Sequence, residues 1–342
     1  MKYISSIHVY ILIFLLSSLY FSTSLKAEHN TSADSLYKSV STYVIGSADY
    51  LDEKVSRWLG NDDVNSTCLP EPITNIYESN NTDIFFQNNK YLNETRDIYV
   101  RLRMDNHYYS RESNKIKFKL SARLPFDRCK KQFQLFFQDE NTYADEVKST
   151  DTSYAGVGIR YYEKERYGIN SSYSIGLRSQ SPYIRARYSF PWKYHSWKIE
   201  PVHMFKYSDK YYLEQETNIY FDKSINKEDI FRVQLHRAEG SKQEGIDYGL
   251  IFEYYLHAGK NSGLRLRQSF LGNTHYNDVY KNDKNYHGIN NYVSSVSWRE
   301  SILRDWLYYE IRPSVNYHKD YNYKPSYELR FFIDIYFGKY HK

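Results

Sequence analysis

The chain has 342 residues, with 46 Lys and Arg against 41 Asp and Glu, and a formal net charge of +5. That excess falls to about +3 once Lys2 and Lys26 leave with a cleaved leader, too little to argue for a nucleic-acid partner. Only 14 Gly and 8 Pro exclude a collagen-like array, and a mean hydropathy of −0.74 beside 39 Tyr and 18% aromatics is odd for a soluble core.

Residues 1–27 read as a secretory signal peptide. Lys2 is its short positive region, Val9 to Tyr20 its apolar stretch, and Ser22, Thr23, Ser24 and Ala27 its small residues near the cut. An uncleaved anchor is the rival reading. Beyond it no run approaches the roughly 18 apolar residues of a spanning helix. Cys68 and Cys129 are the only cysteines. In an exported chain they permit one disulfide, and two unrelated thiols fit the same count.

Residues 28–95 form the second unit, a periplasmic helix and linker. The spacing predicts a helix over 31–60, because Leu36, Val40, Tyr43, Val44, Leu51, Val55, Trp58 and Leu59 recur at steps of three, four or seven. Ser32 or Asp34 can cap it and Gly60 can end it. Its apolar face must dock under the barrel that follows, enter that barrel as a plug, or bind a periplasmic partner. Residues 61–95 are rich in Asn, Asp, Ser and Thr and read as an irregular linker.

From residue 96 to 342 the pattern changes to strict alternation. In KIKFKLSAR (115–123), Lys115, Lys117, Lys119, Ser121 and Arg123 fall on one face and Ile116, Phe118, Leu120 and Ala122 on the other. The same period recurs at Ile98–Met104, Phe133–Phe137, Tyr173–Leu177, Ile184–Phe190, Phe231–Leu235, Tyr248–Leu256, Leu307–Val315 and Leu329–Phe337. Large aromatics opposite many Arg, in an exported chain, predict a closed antiparallel transmembrane β-barrel whose apolar face meets lipid. Strands are expected to start near 96, 115, 132, 153, 168, 183, 197, 211, 230, 245, 263, 289, 306 and 326, which makes fourteen. Twelve or sixteen would also place both ends on the periplasmic side. Trp192, Trp197, Trp298 and Trp306 then flank turns on that side, as interfacial indoles do. Cys129 falls in a turn there too, on the side of Cys68.

The end ELRFFIDIYFG (328–338) resembles the terminal strand by which Gram-negative outer-membrane barrels are recognised for insertion. Phe337 is its closing aromatic, and a tail to Lys342 extends past it. DEKVSRWLG (52–60), ARLP (122–125), RARYSF (185–190) and WRESILRDWLYYEIRPSV (298–315) make the chain similar to a functionally uncharacterised proteobacterial outer-membrane family. The resemblance implies an outer-membrane barrel with its N-terminal segment in the periplasm. Its implied partners are the barrel-assembly machinery and outer-membrane lipids, and it implies no catalytic activity.

The inward residues are sorted by charge. Arg101, Arg103, Lys115, Lys117, Lys119, Arg123, Arg160, Arg178, Arg185 and Arg187 lie on the first six strands; Glu200, Glu214, Glu216, Asp247 and Glu253 follow. Arg265, Arg267, Arg299, Arg312 and Arg330 then mix with Glu310, Glu328 and Asp334. A basic arc facing an acidic one predicts a porin-like transport channel for small polar or anionic solutes. Its pore lining would be Arg101, Arg103, Lys115, Lys117, Lys119, Arg123, Arg160, Arg178, Arg185, Arg187, Arg265 and Arg267. The same charges would equally serve as Arg–Glu ladders in a non-conducting structural or binding barrel. A lipid hydrolase would need a Ser, a His and a third polar group together. His203, His236, Ser269 and Asp247 are available without a recognisable spacing, and no enzyme is expected. His275, Asp278, Asp283 and His287 share one polar loop, but no metal and no cofactor is assigned.

Overall fold

Alternation becomes extended backbone along the whole second part of the chain. The computed structural model describes residues 31–58, 85–86, 98–126, 133–140, 154–178, 180–226, 229–259, 261–276 and 286–338. Its strands are β1 (Tyr99–Tyr109), β2 (Lys115–Phe126), β3 (Phe133–Glu140), β4 (Tyr154–Tyr162), β5 (Asn170–Arg178), β6 (Ser181–Ser189), β7 (Trp192–Tyr194) and β8 (Trp197–Ser208). Next come β9 (Tyr212–Ser224), β10 (Ile230–Gly240), β11 (Asp247–Gly259), β12 (Ser262–Tyr276), β13 (Tyr286–Ser301), β14 (Leu307–His318) and β15 (Pro325–Gly338). Each wall strand begins within three residues of its expected start.

Fourteen of these strands make a closed antiparallel barrel. Each pairs with its neighbours in sequence, β6 pairs directly with β8, and β15 pairs with β1 from Tyr99↔Gly338 to Tyr109↔Glu328. The fifteenth, β7, is a three-residue strand that folds back on the start of β8. It was not anticipated, because a three-residue strand carries too little periodicity to read. Closure gives every wall strand a paired neighbour on each side, the condition for a sheet in lipid.

An even strand number puts both ends of the barrel on one rim, here termed the terminal rim. Residues 260–261 join β11 to β12, and Arg166–Ile169 close a two-residue turn with Tyr167 and Gly168 both at positive φ, the geometry that suits a twisted hairpin. Trp192, Trp197, Trp298 and Trp306 all belong to this rim, as expected.

Burial follows the alternation. Ile116 and Phe118 are 64% and 70% exposed, and Ile175 and Ile184 are also exposed, while Lys119, Ser121 and Arg123 between or beside such positions are buried. Apolar groups therefore face out and charges face in. On this outer belt Phe118→Arg should cost about 2–4 kcal/mol of barrel stability near mid-membrane. The expected result is loss of heat-modifiable gel mobility, whereas Lys117→Arg on the inward face of the same strand should retain it.

The helix α1 (Thr31–Trp58) docks on the terminal rim against β2 and β15, and Gly60, expected to end it, lies outside the described residues. Tyr37 stacks on Trp306 with centroids 4.6 Å apart and on Phe337 at 6.0 Å. Asp34 pairs with Arg304 in the β13–β14 turn, and Ser41 Oγ accepts from the Gly338 backbone N–H at 3.3 Å. The docked face overlaps the expected one only in part, with Val40, Val44, Leu51 and Val55 half-buried. Ser41, Ala48 and Asp52 are its buried residues, whereas Leu36 and Tyr43 are 67% and 77% exposed. Two stacked rings and a polar rim select the face here, so apolar spacing alone misjudged part of it.

Candidate functional site in the barrel interior

All twelve residues predicted to line a pore are on the inner face, each buried or half-buried. Period 2 puts them there, since each lies two, four or six positions from another inward residue of its own strand. The structure divides eleven of them into two sectors with different partners, and Arg101 on β1 stands between the two, donating to Ser121 Oγ at 3.4 Å.

The first sector spans the closing seam. Arg103 on β1 donates through Nε and Nη2 to the two Asp334 oxygens on β15, at 2.6 and 2.7 Å. Arg299 on β13 donates to Asp334 Oδ2 at 2.7 Å and to the Tyr336 hydroxyl at 3.1 Å. Glu310 on β14 lies 3.5 Å from Arg299 and 3.6 Å from Arg265, and accepts from Arg312 at 2.5 Å. Arg330 donates to Asp105 at 2.7 Å across the same seam, and His107 Nε2 sits 2.9 Å from Glu328. Arg267 lies 3.8 Å from Glu253. A charge inside a membrane wall is tolerated when paired or hydrogen-bonded. Arg103, Arg265 and Arg267 thus belong to ion-pair ladders that brace the wall. Phe332 sits among the guanidiniums of Arg103, Arg312 and Arg330, at 4.7, 4.8 and 5.0 Å from its centroid.

The second sector is basic. Lys115, Lys117, Lys119 and Arg123 on β2, Arg160 on β4, Arg178 on β5, and Arg185 and Arg187 on β6 face inward. Among the inward side chains described on β2 to β6 there is no Asp or Glu. Their contacts include rings and hydroxyls. Arg160 donates to Ser174 Oγ at 3.2 Å and to the Tyr162 hydroxyl at 3.3 Å. Arg160, Arg123 and Arg185 stand 4.9, 5.7 and 5.9 Å from the Phe136 centroid. Desolvated cation–π contacts of this kind are worth up to about 2 kcal/mol each. Gly158 makes room for that ring: a Cβ there would meet the Ile175 carbonyl at 2.5 Å and Phe136 Cζ at 2.9 Å.

The acidic arc is less pure than expected. Glu200, Glu214, Glu216, Asp247 and Glu253 do face inward, but so do Lys206 and Arg232. Lys206 lies 3.1 Å from Glu214, and Arg232 forms a two-pronged bond to Asp222 at 2.6 and 2.9 Å. Sequence reasoning missed Asp105, Asp222, Phe136 and Phe332. Their signal was present, since Asp105, Asp222 and Phe332 share the parity of charged residues on their strands and Phe136 that of Gln134 and Gln138.

At the terminal rim outside the membrane wall, the hydrogen bond that Arg304 donates to the Asp34 carboxylate raises the guanidinium pKa above its ordinary range.

The residues considered for a hydrolase are not assembled. His203 lies on the outer face of β8 and pairs with Thr217 at 2.7 Å. His236 faces inward and bonds Asn218 at 2.8 Å, while Ser269 accepts from Arg267 at 3.1 Å. Asp247 accepts from Asn273, and its ladder places it four residues from Ser269, about 13 Å along the strands. Among the described residues no group of three or more His, Cys, Asp or Glu could hold a metal ion. Asp278 and Asp283 of the polar loop, both cysteines, and the signal segment lie outside the described residues.

No family model matches the chain. No curated protein matches it either. Among solved structures it is similar to a loop L8 deletion mutant of OmpT, an outer membrane protein of Vibrio cholerae, at 7% identity and TM-score 0.45 over 70% of this chain and 98% of that one. An anion-selective porin from Comamonas acidovorans is similar at 7% identity and TM-score 0.43, over 70% and 98%. The NanC porin is similar at 7% identity and TM-score 0.36, over 68% and 98%. These likenesses are distant, and the barrel assignment rests on the strand pairing and closure described above.

Proposed function

We propose that the protein is an outer-membrane channel that passes small polar or anionic solutes along the basic sector of its lumen. The supporting observation is the inward face of β2 to β6, which presents eight Lys or Arg and, among its described side chains, no carboxylate. A low-dielectric wall focuses such a field into the lumen and concentrates anions there. In this reading residues 1–27 direct export, the terminal rim and α1 face the periplasm, and the strand ending at Phe337 addresses the barrel-assembly machinery. A bridge between Cys68 and Cys129 would tie the N-terminal segment to that rim.

One observation favours a second reading, a non-conducting structural or binding barrel. Arg123, Arg160, Arg232 and Arg299 are among the most buried side chains of the molecule. Conductance of the purified mature chain in a planar bilayer separates the two. A channel gives discrete current steps; a filled barrel gives none, even after removal of residues 28–95. Orientation has its own test. A tag inserted near Asn282 should be reachable on intact cells and one near Lys130 should not, and the opposite labelling would invert the barrel.

A further inference from the structure

The linker between α1 and the barrel contributes two described residues, Phe85 and Phe86, in a helical turn. Both enter the barrel mouth at the terminal rim. Phe86 is 4% exposed and packs with Ile230 and Tyr255, the first inward residue of β10 and one of the last of β11. Phe85 packs on Tyr99, Tyr308 and Tyr336, the inward tyrosines at the rim ends of β1, β14 and β15. The two rings meet edge to face at 5.0 Å, and His257 lies 5.8 Å from Phe85 and 6.4 Å from Phe86. Position 263, at the start of β12, is shaped to receive them. A Cβ on Gly263 would stand 2.8 Å from Phe86 Cζ and 2.9 Å from Phe85 Cε1.

Every one of these contacts is with an inward residue. They come from six strands, along the arc from β10 round to β1. The aromatic pair belongs to none of those strands, so its withdrawal breaks no ladder of the wall. It is held by rings and aliphatic contact, in contrast to the ion pairs that close the seam above it. An apolar wedge in the mouth of a charged lumen also displaces the water that an ion would need there.

We propose that Phe85 and Phe86 form a wedge that closes the terminal mouth of the lumen, and that solute passage requires its withdrawal. The proposal rests on the channel reading above. It assigns the N-terminal segment a gating role beyond its docking on the rim.

The test compares the full mature chain with two variants in planar bilayers. Phe85→Ala/Phe86→Ala removes the wedge. Gly263→Ala keeps both rings and crowds the place they occupy. Heat-modifiable gel mobility confirms assembly of each. The expected result is a severalfold rise in conductance or open time for both variants over the parent. If parent and variants conduct alike, the wedge is refuted and the channel stands. If none conducts, the channel reading fails and the gate with it. If both variants lose heat-modifiable mobility, the pair is a structural part of the wall, and the gating role is overturned.

Discussion

Replacing Lys117, Lys119, Arg185 and Arg187 together with Glu should move the reversal potential of the open barrel in a salt gradient toward cation preference. Lys117 and Lys119 are two residues apart on β2, and Arg185 and Arg187 two apart on β6, so each pair spans about 7 Å. That is within the Debye length of about 8 Å at physiological salt, and charges so spaced act as one field. Each substitution changes the wall by two charges, and one alone should move the potential little. All four positions face inward, where substitutions tune selectivity more than they disturb the barrel. A barrel that conducts with an unchanged reversal potential would show that the basic sector does not line the solute path. Preference would then be set by the loops of the opposite rim.

The largest stability effect should come from Asp334→Asn. Asp334 has 0% side-chain exposure and accepts from Arg103 at 2.6 and 2.7 Å and from Arg299 at 2.7 Å. The substitution keeps the shape and removes the charge both guanidiniums share. Removing one partner of a buried pair costs roughly 3–5 kcal/mol, because the surviving charge stays in a medium that cannot solvate it. The three residues lie on β1, β13 and β15, so the loss falls on the closing seam. The measurement is the temperature at which compact gel mobility converts to the unfolded form, expected to drop sharply. Asp34→Ala, which breaks the rim pair with Arg304, should leave that temperature nearly where it is, since the pair holds the helix and not the wall. Equal effects of the two substitutions would contradict a seam held by buried ion pairs.

Much of this architecture was legible in one dimension. The period of KIKFKLSAR states which residues share a face, because a strand turns its side chains by half a revolution per residue regardless of what surrounds it. Repeated with even spacing in a chain whose start reads as a leader, that period implies closure, since lipid offers backbone groups no partners. Even the inward phenylalanines were readable in principle. In the pairs Phe136–Phe137 and Phe331–Phe332 two adjacent residues cannot both face out, and the structure turns Phe136 and Phe332 inward.

What periodicity could not decide is which inward charges meet. Arg103 and Asp334 are 231 residues apart and become partners only because β15 closes on β1 in one register, Arg103↔Asp334. Register and closure are set by the sum of ladder bonds and packing around the whole ring, so they are not local properties. For the same reason the sequence separates basic from acidic strands but does not tell a braced sector from an open one. The placement of the linker was likewise a tertiary decision. Phe85 and Phe86 sit in a polar stretch without periodicity, and they find an apolar site only where Ile230, Tyr255, Tyr308 and Tyr336 converge at the rim and position 263 has no side chain. A dipeptide carries no period from which burial could be read; the cavity that buries it is made by six strands distant in sequence.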